Sequence, residues 1–275
     1  MAENSGISWT DHTFNPWMGC TKVSPACDNC YAERDMDHRY GKVAWGPKGT
    51  RLATGTSYWL KPAVWNAEAA EKGRRYFVFC ASLADVFENW KGDIDQPKFN
   101  LGDTSLDAIR KRLWKMIEAT PNLDWLLLTK RPENVLKMVP ENWLVHLFPP
   151  NVLIGCSAEN QKYADIRLRA MRRIPARRFV SYEPATGPVD WSGWGFLDWL
   201  IAGGESGPEA RTANPDWYRS ARSFAKANSI PFHFKQWGEY NEAGIRVGVK
   251  TAGRILDGRT HDDRPLPLIH GEGNV

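Results

Sequence analysis

The chain predicts a parallel α/β barrel of the TIM type, complete or partial, with six or seven strand–helix units. Two observations carry this. Six short apolar runs each break abruptly into small, polar or charged residues, and helical patterns stand between several of them. The runs are continuously apolar, as in strands buried on both faces. Their starts near 76, 124, 151, 177, 198 and 231 lie 21 to 48 residues apart, which suits βα units joined by right-handed crossovers.

In chain order, a first strand is expected near Thr13 to Met18. Tyr76 to Phe79 then runs into Cys80-Ala81-Ser82, and Trp125 to Leu128 into Thr129-Lys130-Arg131. Val152 to Ile154 leads to Gly155-Cys156-Ser157-Ala158-Glu159, and Phe179-Val180 to Ser181-Tyr182-Glu183-Pro184. The last two are Trp199 to Ile201 into Ala202-Gly203-Gly204-Glu205-Ser206, and Phe232 to Phe234 into Lys235-Gln236-Trp237. Leu106, Ile109, Leu113 and Met116 or Ile117 repeat at helical spacing behind a cap at Asp103 or Thr104. Tyr163, Ile166, Ala170 and Ile174 repeat it again, and Asn214-Pro215 caps a helix through Trp217, Ala221 and Phe224. An open doubly wound sheet is the alternative arrangement of these units. In both arrangements, functional groups gather at the carboxyl ends of the strands. Residues 1–240 read as a single barrel domain and 241–275 as a polar C-terminal extension, with a tight turn at Asp257-Gly258.

With 42% hydrophobic and 25% charged residues, the 275-residue chain has ample apolar surface to bury, which excludes disorder as its main state. Thirty-six basic against thirty-two acidic residues leave +4, short of the signature of a dedicated nucleic-acid binder. Five cysteines, sparse and odd in number, exclude a disulfide scaffold. The N-terminus shows no signal-peptide pattern, and no apolar run approaches the roughly 18 residues of a membrane helix. A cytoplasmic, reducing location with no membrane partner is therefore expected, and there clustered cysteines bind metal or do chemistry.

Three cysteines are clustered as Cys20, Cys27 and Cys30, a C-x6-C-x2-C spacing. The C-x2-C pair can converge on one centre, and the loop containing Pro25 can return Cys20 to it. Three ligands leave a fourth coordination position open, the condition for catalysis at a metal. A fourth ligand for structural zinc would have to be His12, His38, Cys80 or Cys156, none at zinc-finger spacing. A structural zinc knot and inert core thiols remain alternative readings.

The run Ile7-Ser-Trp-Thr-Asp-His-Thr-Phe-Asn-Pro-Trp-Met-Gly-Cys20, continued through Cys30-Tyr31-Ala32, resembles the phage and prophage three-Cys-motif family. So do Ala202-Gly-Gly-Glu-Ser-Gly-Pro-Glu-Ala-Arg211, Phe234-Lys-Gln-Trp-Gly238 and Gly253-Arg-Ile-Leu-Asp-Gly-Arg-Thr260, so the resemblance spans nearly the whole chain. That family is similar in turn to radical S-adenosylmethionine (SAM) enzymes, including lyases of the spore photoproduct type that act on DNA. The resemblance implies a [4Fe-4S] cluster on Cys20, Cys27 and Cys30, with SAM chelating the fourth iron. It implies one-electron cleavage of SAM to methionine and a 5′-deoxyadenosyl radical, fed by an external one-electron reductant. The six-residue first gap departs from the more usual C-x3-C-x2-C.

By the same resemblance, the SAM amino group meets Ser82 and Asp85, and its ribose and carboxylate meet Ser157, Glu159 and Glu183. Gly203-Gly204-Glu205 reads like the GGE motif of those enzymes but follows the sixth strand, not the second, so the amino-group role is not transferred to it. Paired glycines admit a ligand close to the backbone, and Glu205 then binds ribose, adenine or substrate, or is a solvated turn residue. Lys130-Arg131 and Lys235-Gln236 offer cations for SAM's carboxylate or an anionic substrate. Candidate catalytic residues are Glu205, Lys235 and Cys156, the last as a hydrogen-atom donor or, like Cys80, an unreactive core thiol. His12 and His233 read as structural.

Arg167, Arg169, Arg172, Arg173, Arg177 and Arg178 form either a phosphate-contacting surface or a solvated helix face. Many of the 14 tryptophans, including Trp59, Trp65, Trp125 and Trp199, read as core or lining. The first functional expectation is a radical SAM-like enzyme acting on a nucleic acid, nucleotide or other anionic substrate. The alternatives are a zinc-dependent hydrolase or deaminase, disfavoured by the lack of an H-x-E partner motif, and a non-catalytic zinc-stabilised nucleic-acid-binding protein.

Overall fold

Every one of the six apolar runs forms a strand, starting within one residue of its expected position. The computed structural model describes residues 5–98, 102–145 and 147–266. β1 (His12–Thr13) and β2 (Trp17–Met18) precede the cysteine loop and the short α1 (Tyr31–Glu33), which continues as a π-helical turn over Arg34–Arg39. β3 (Leu52–Ala53), α2 (Thr56–Trp59) and α3 (Lys61–Glu71) lead to β4 (Tyr76–Cys80). There follow α4 (Leu106–Glu118), β5 (Leu123–Thr129), α5 (Val135–Met138), α6 (Glu141–Val145) and β6 (Val152–Ser157). The chain continues through α7 (Gln161–Arg173), β7 (Arg177–Tyr182), β8 (Trp199–Gly203), α8 (Pro215–Ala227), β9 (Phe232–Gln236) and α9 (Val249–Ala252).

β1 and β4 to β9 form one parallel sheet of seven strands in strict chain order. A doubly wound sheet reverses direction at a switch point, and this one does not, so that alternative is set aside. The sheet curls into a half-barrel whose first and last strands are unpaired with each other. The expected first strand is split. His12 and Thr13 pair with β4, whereas Trp17 and Met18 pair antiparallel with β3 in a separate ribbon. Pro16, which has no N–H to donate, interrupts the ladder between them.

Strand alternation sorts the core into two layers. Trp9, Phe77, Phe79, Leu126, Phe179 and Trp199 fill the concave side. Val78, Trp125, Leu127, Ile154 and Val180 pack on the convex side with Ile109, Leu113, Ala164 and Tyr218 from the helices. Gly155 faces inward, where a Cβ would lie 2.2 Å from the Phe179 ring, so only glycine leaves room for that ring. The open side is filled from both chain ends. Trp9 sits 4.6 Å from the Phe79 ring and 6.2 Å from Trp199. Ser8 is hydrogen-bonded to His233 at 2.8 Å, and the N–H of Phe234 donates to His261 at 2.9 Å.

The described part of the C-terminal extension folds back onto the barrel, with Trp237 Nε1 donating to the Ile255 carbonyl at 2.7 Å. The expected turn is present: Asp257 (φ 49°) and Gly258 (φ 79°) are both left-handed, with Leu256 and Arg259 bridged across them. Residues 267–275 lie outside the described residues.

Two helix readings are corrected. Ser105, not Asp103 or Thr104, caps α4 by accepting from Ala108 N at 3.2 Å. On α7 the buried face is Ala164, Arg167 and Met171, while Ile166 is 59% exposed. Arg167 turns inward because its partner Glu159 is itself fully buried, and an unpaired carboxylate there is costly. Asn214 caps α8 as expected, accepting from Asp216 N.

His233, 1% exposed, carries a pH-dependent share of the stability. Burial, reinforced by Arg254, holds its pKa down at about 4, against 6.5 for the ordinary imidazole. Between those values the unfolded chain binds the proton that the folded chain refuses. The contribution is therefore complete above about pH 6.5 and is lost as pH falls through 4, by roughly 3 kcal/mol. Urea midpoints measured from pH 7.5 to 4 should fall more steeply for the native chain than for His233→Asn. Parallel curves would contradict this assignment.

Candidate functional site

A cavity of about 460 Å³ opens at the carboxyl ends of the strands, and Cys20, Cys27 and Cys30 all line it. Their loop leaves β2 at Gly19 (φ 107°), where a Cβ would come within 2.6 Å of the Thr50 carbonyl. Pro25–Cys27 forms a 3-10 turn with proline at its start, and Cys30 is the N-cap of α1.

Two ionic networks suspend this loop. At the Cys20 end, buried Arg51 grips Glu88 through two bonds of 2.8 and 2.9 Å and donates to Thr21 Oγ1 at 3.0 Å. Arg131 donates to Asp85 at 2.8 Å and to the Thr21 carbonyl at 2.6 Å, and lies 3.7 Å from Cys20 Sγ. At the other end, Glu205 accepts from Arg211 N, Nε and Nη2 and from Asn29 Nδ2. The same Arg211 donates to the Pro25 carbonyl at 2.9 Å.

Burial pushes the Cys20 thiol up to about 12, with Glu88 and Asp85 adding to the rise and Arg131 opposing it. Burial also raises Cys30, against backbone N–H donors at Glu33 and Ala32 and the charge of Lys130. At both positions burial outweighs the positive charge of the neighbouring Arg131 and Lys130. Among the described residues, no three His, Cys, Asp or Glu side chains close on a point tightly enough to hold a single ion.

Of the residues expected at the site, Ser82, Asp85, Ser157, Glu183, Gly204, Glu205 and Lys235 line the cavity. Ser157 Oγ is buried there with no hydrogen-bond partner among the described residues, and Glu183 is ion-paired with Lys235. Lys130 also faces in, with no acid partner among the described residues.

Several expected roles are corrected. Asp85 is saturated by Phe87 N, Thr129 Oγ1, Lys130 N and Arg131, so it serves as an anchor and not as an open amine acceptor. Arg131 is likewise consumed by Asp85 and Thr21, so it is no free partner for a carboxylate. Glu159 lies behind the wall, locked to Arg167. Cys156 and Cys80 belong to the convex core, because the strand that turns Ser157 inward turns Cys156 outward. Gly204 makes room for protein, not ligand: a Cβ there would meet the Trp237 carbonyl at 1.8 Å. Gly203 backs onto Lys235 and Glu183, 3.4 and 3.5 Å from where a Cβ would be. Glu205 is neither free nor solvated, since Arg211 holds its carboxyl below the usual range against the opposing effect of burial.

The six arginines do not form one surface: Arg169, Arg172 and Arg173 are exposed on one face of α7, as a solvated helix face would be, and the other three turn elsewhere. Arg167 pairs with Glu159, Arg177 lies 3.7 Å from Asp124, Arg172 donates to the Gly193 carbonyl, and Arg178 covers the Phe196 ring. Trp59, Trp65, Trp125 and Trp199 are core, as expected, and His12 stacks on Trp65 at 4.3 Å. Sequence reasoning missed Arg51–Glu88 and Glu205–Arg211 as the supports of the loop. The second was within reach, since both residues stand in one short polar segment.

A parallel half-barrel with a thiol-lined cavity at its carboxyl mouth defines an α/β protein built around a candidate active site at the usual end of the sheet. The chain belongs to the family described as protein of unknown function (DUF5131), whose profile matches residues 4–265. No curated protein and no solved structure matches it. Among the described residues, no helix is long and apolar enough to cross a membrane.

Proposed function

We propose that the chain is a radical SAM-like iron–sulfur enzyme acting on a nucleic acid, nucleotide or other anionic substrate, as its likeness to the three-Cys-motif proteins implies. One observation carries the reading. The three thiols of a C-x6-C-x2-C loop following the first barrel strand all line a single cavity at the carboxyl mouth of the sheet.

Cys20, Cys27 and Cys30 would hold a [4Fe-4S] cluster, each through a different iron, so the thiols need to share a cavity but not to meet at one atom. When bound with one iron open, such a cluster supplies one-electron reduction of SAM, drawing on an external reductant. The chain's own residues bind, orient and exclude water. Arg131 beside Cys20 and Lys130 beside Cys30 would offset part of the negative charge of the bound cluster. Ser82 and Ser157 offer hydroxyls for ribose, and Glu183 and Lys235 would have to exchange their mutual ion pair for the amino and carboxylate groups of SAM. Trp9, Phe79 and Leu128 form an apolar floor that keeps bulk water away. Five free thiols suit a reducing cytoplasm.

Anaerobic purification and reconstitution, with iron, sulfide and zinc determined together, test the reading. About four irons and four sulfides per chain are expected. Stoichiometric zinc without iron, even after reconstitution, would overturn it in favour of a zinc hydrolase, deaminase or zinc-stabilised binding protein.

A further inference from the structure

The segment that follows α1 carries exposed cations and few acids. Residues 38–67 contain no Asp or Glu. Within them Arg39, Lys42 and Lys48 are exposed, and none is ion-paired among the described residues. The acids nearest in sequence are engaged: Asp35 pairs with Arg34, and Asp37 accepts from Trp45 N. Tyr40 is 52% exposed, with Arg39 and Lys42 over its ring at 5.1 and 5.6 Å. From there the surface leads inward, since Tyr31 and Trp45 line the cavity itself. Gly46 N donates to the Cys20 carbonyl at 3.0 Å, which fixes this segment against the cysteine loop.

Cations beside an exposed aromatic, continuing into an aromatic-walled cavity, are the components of a single-strand groove: charges track phosphates and rings stack bases. A cavity of about 460 Å³ is too small for a duplex, so a base must leave the stack to approach it. We propose that residues 39–48 are a docking rim for single-stranded nucleic acid. Phosphates lie along Arg39, Lys42 and Lys48, one base rests on Tyr40, and a neighbouring nucleotide reaches the cavity mouth beside Trp45. This deepens the proposed function by naming its substrate class, and it rests on the reading of the cavity as the reaction chamber.

The test is fluorescence anisotropy with the full chain and labelled 12-mers of single-stranded DNA, single-stranded RNA and duplex DNA, across 50 to 200 mM salt. Single strands should bind more tightly than duplex. Arg39→Ser/Lys42→Ser/Lys48→Ser should weaken binding at least about tenfold and flatten the slope of log affinity against log salt by about 2 units. Tyr40→Leu should weaken it about tenfold with the slope unchanged. Arg169→Ser/Arg173→Ser, two exposed residues on α7, should bind as the native chain does. Equal binding of duplex, an unaffected triple variant, or binding to phosphatidylserine vesicles but not to oligonucleotides would each overturn the proposal. Binding requires neither cluster nor SAM, so Cys27→Ala should retain it. A native chain that binds oligonucleotide but takes up no iron on reconstitution would defeat the enzymatic reading and leave the rim standing; an iron-loaded native chain that cleaves SAM but binds no oligonucleotide would defeat the rim alone.

Discussion

Cys27→Ala, reconstituted anaerobically beside the native chain, is expected to lose most of its iron and all SAM cleavage while melting within a few degrees of it. Cys27 is half-buried in a short 3-10 turn, and the bond that holds the turn runs from its backbone N–H to the Ser24 carbonyl, which alanine keeps. Cys156→Ala should do the opposite. That thiol is fully buried in the convex core, where burial pushes it up to about 12, so truncation costs packing of about 1 kcal/mol and spares the iron. Iron and sulfide content together with thermal melts separate the two. Full iron in Cys27→Ala would contradict the ligand assignment, and iron loss in Cys156→Ala would return that thiol to the site.

Glu88→Ala is expected to be the most destabilising single change around the loop. The Arg51 side chain is 0% exposed and that of Glu88 3%, so the alanine variant strands a buried guanidinium and takes a second carboxylate from Arg131. Breaking one side of a buried pair costs about 3–5 kcal/mol. For a chain of this length that lowers the melting temperature by about 10 °C. Arg51 also holds Thr21, next to Cys20, so metal uptake should fall with stability. Glu88→Gln keeps the shape and one acceptor and should lose less. A melt of Glu88→Ala superimposable on that of the native chain would show that the network does not carry the loop.

The strands of the barrel were legible because their signal is local: an uninterrupted apolar run ending in polar residues needs no partner to be recognised. β1 was harder, since Pro16 divides a continuous-looking stretch between two sheets. The cysteine loop was legible for the same local reason. Its supports were not, because Arg51 and Glu88 stand 37 residues apart and only the fold brings them together. Parity explains the error at β6. Cys156 and Ser157 are adjacent at a strand end, and which of them faces the cavity depends on the register with β7, where Ser157 lies opposite Ser181. At α7 the solvated-face reading holds for Arg169, Arg172 and Arg173, and only Arg167 departs from it, turned inward by the buried carboxylate of Glu159.

The most direct measurement is product formation. The reconstituted chain, reduced by dithionite without oxygen and given SAM, should release 5′-deoxyadenosine and methionine in equal amounts, with Cys27→Ala at background. Iron-loaded native chain that yields no more 5′-deoxyadenosine than Cys27→Ala would contradict the account.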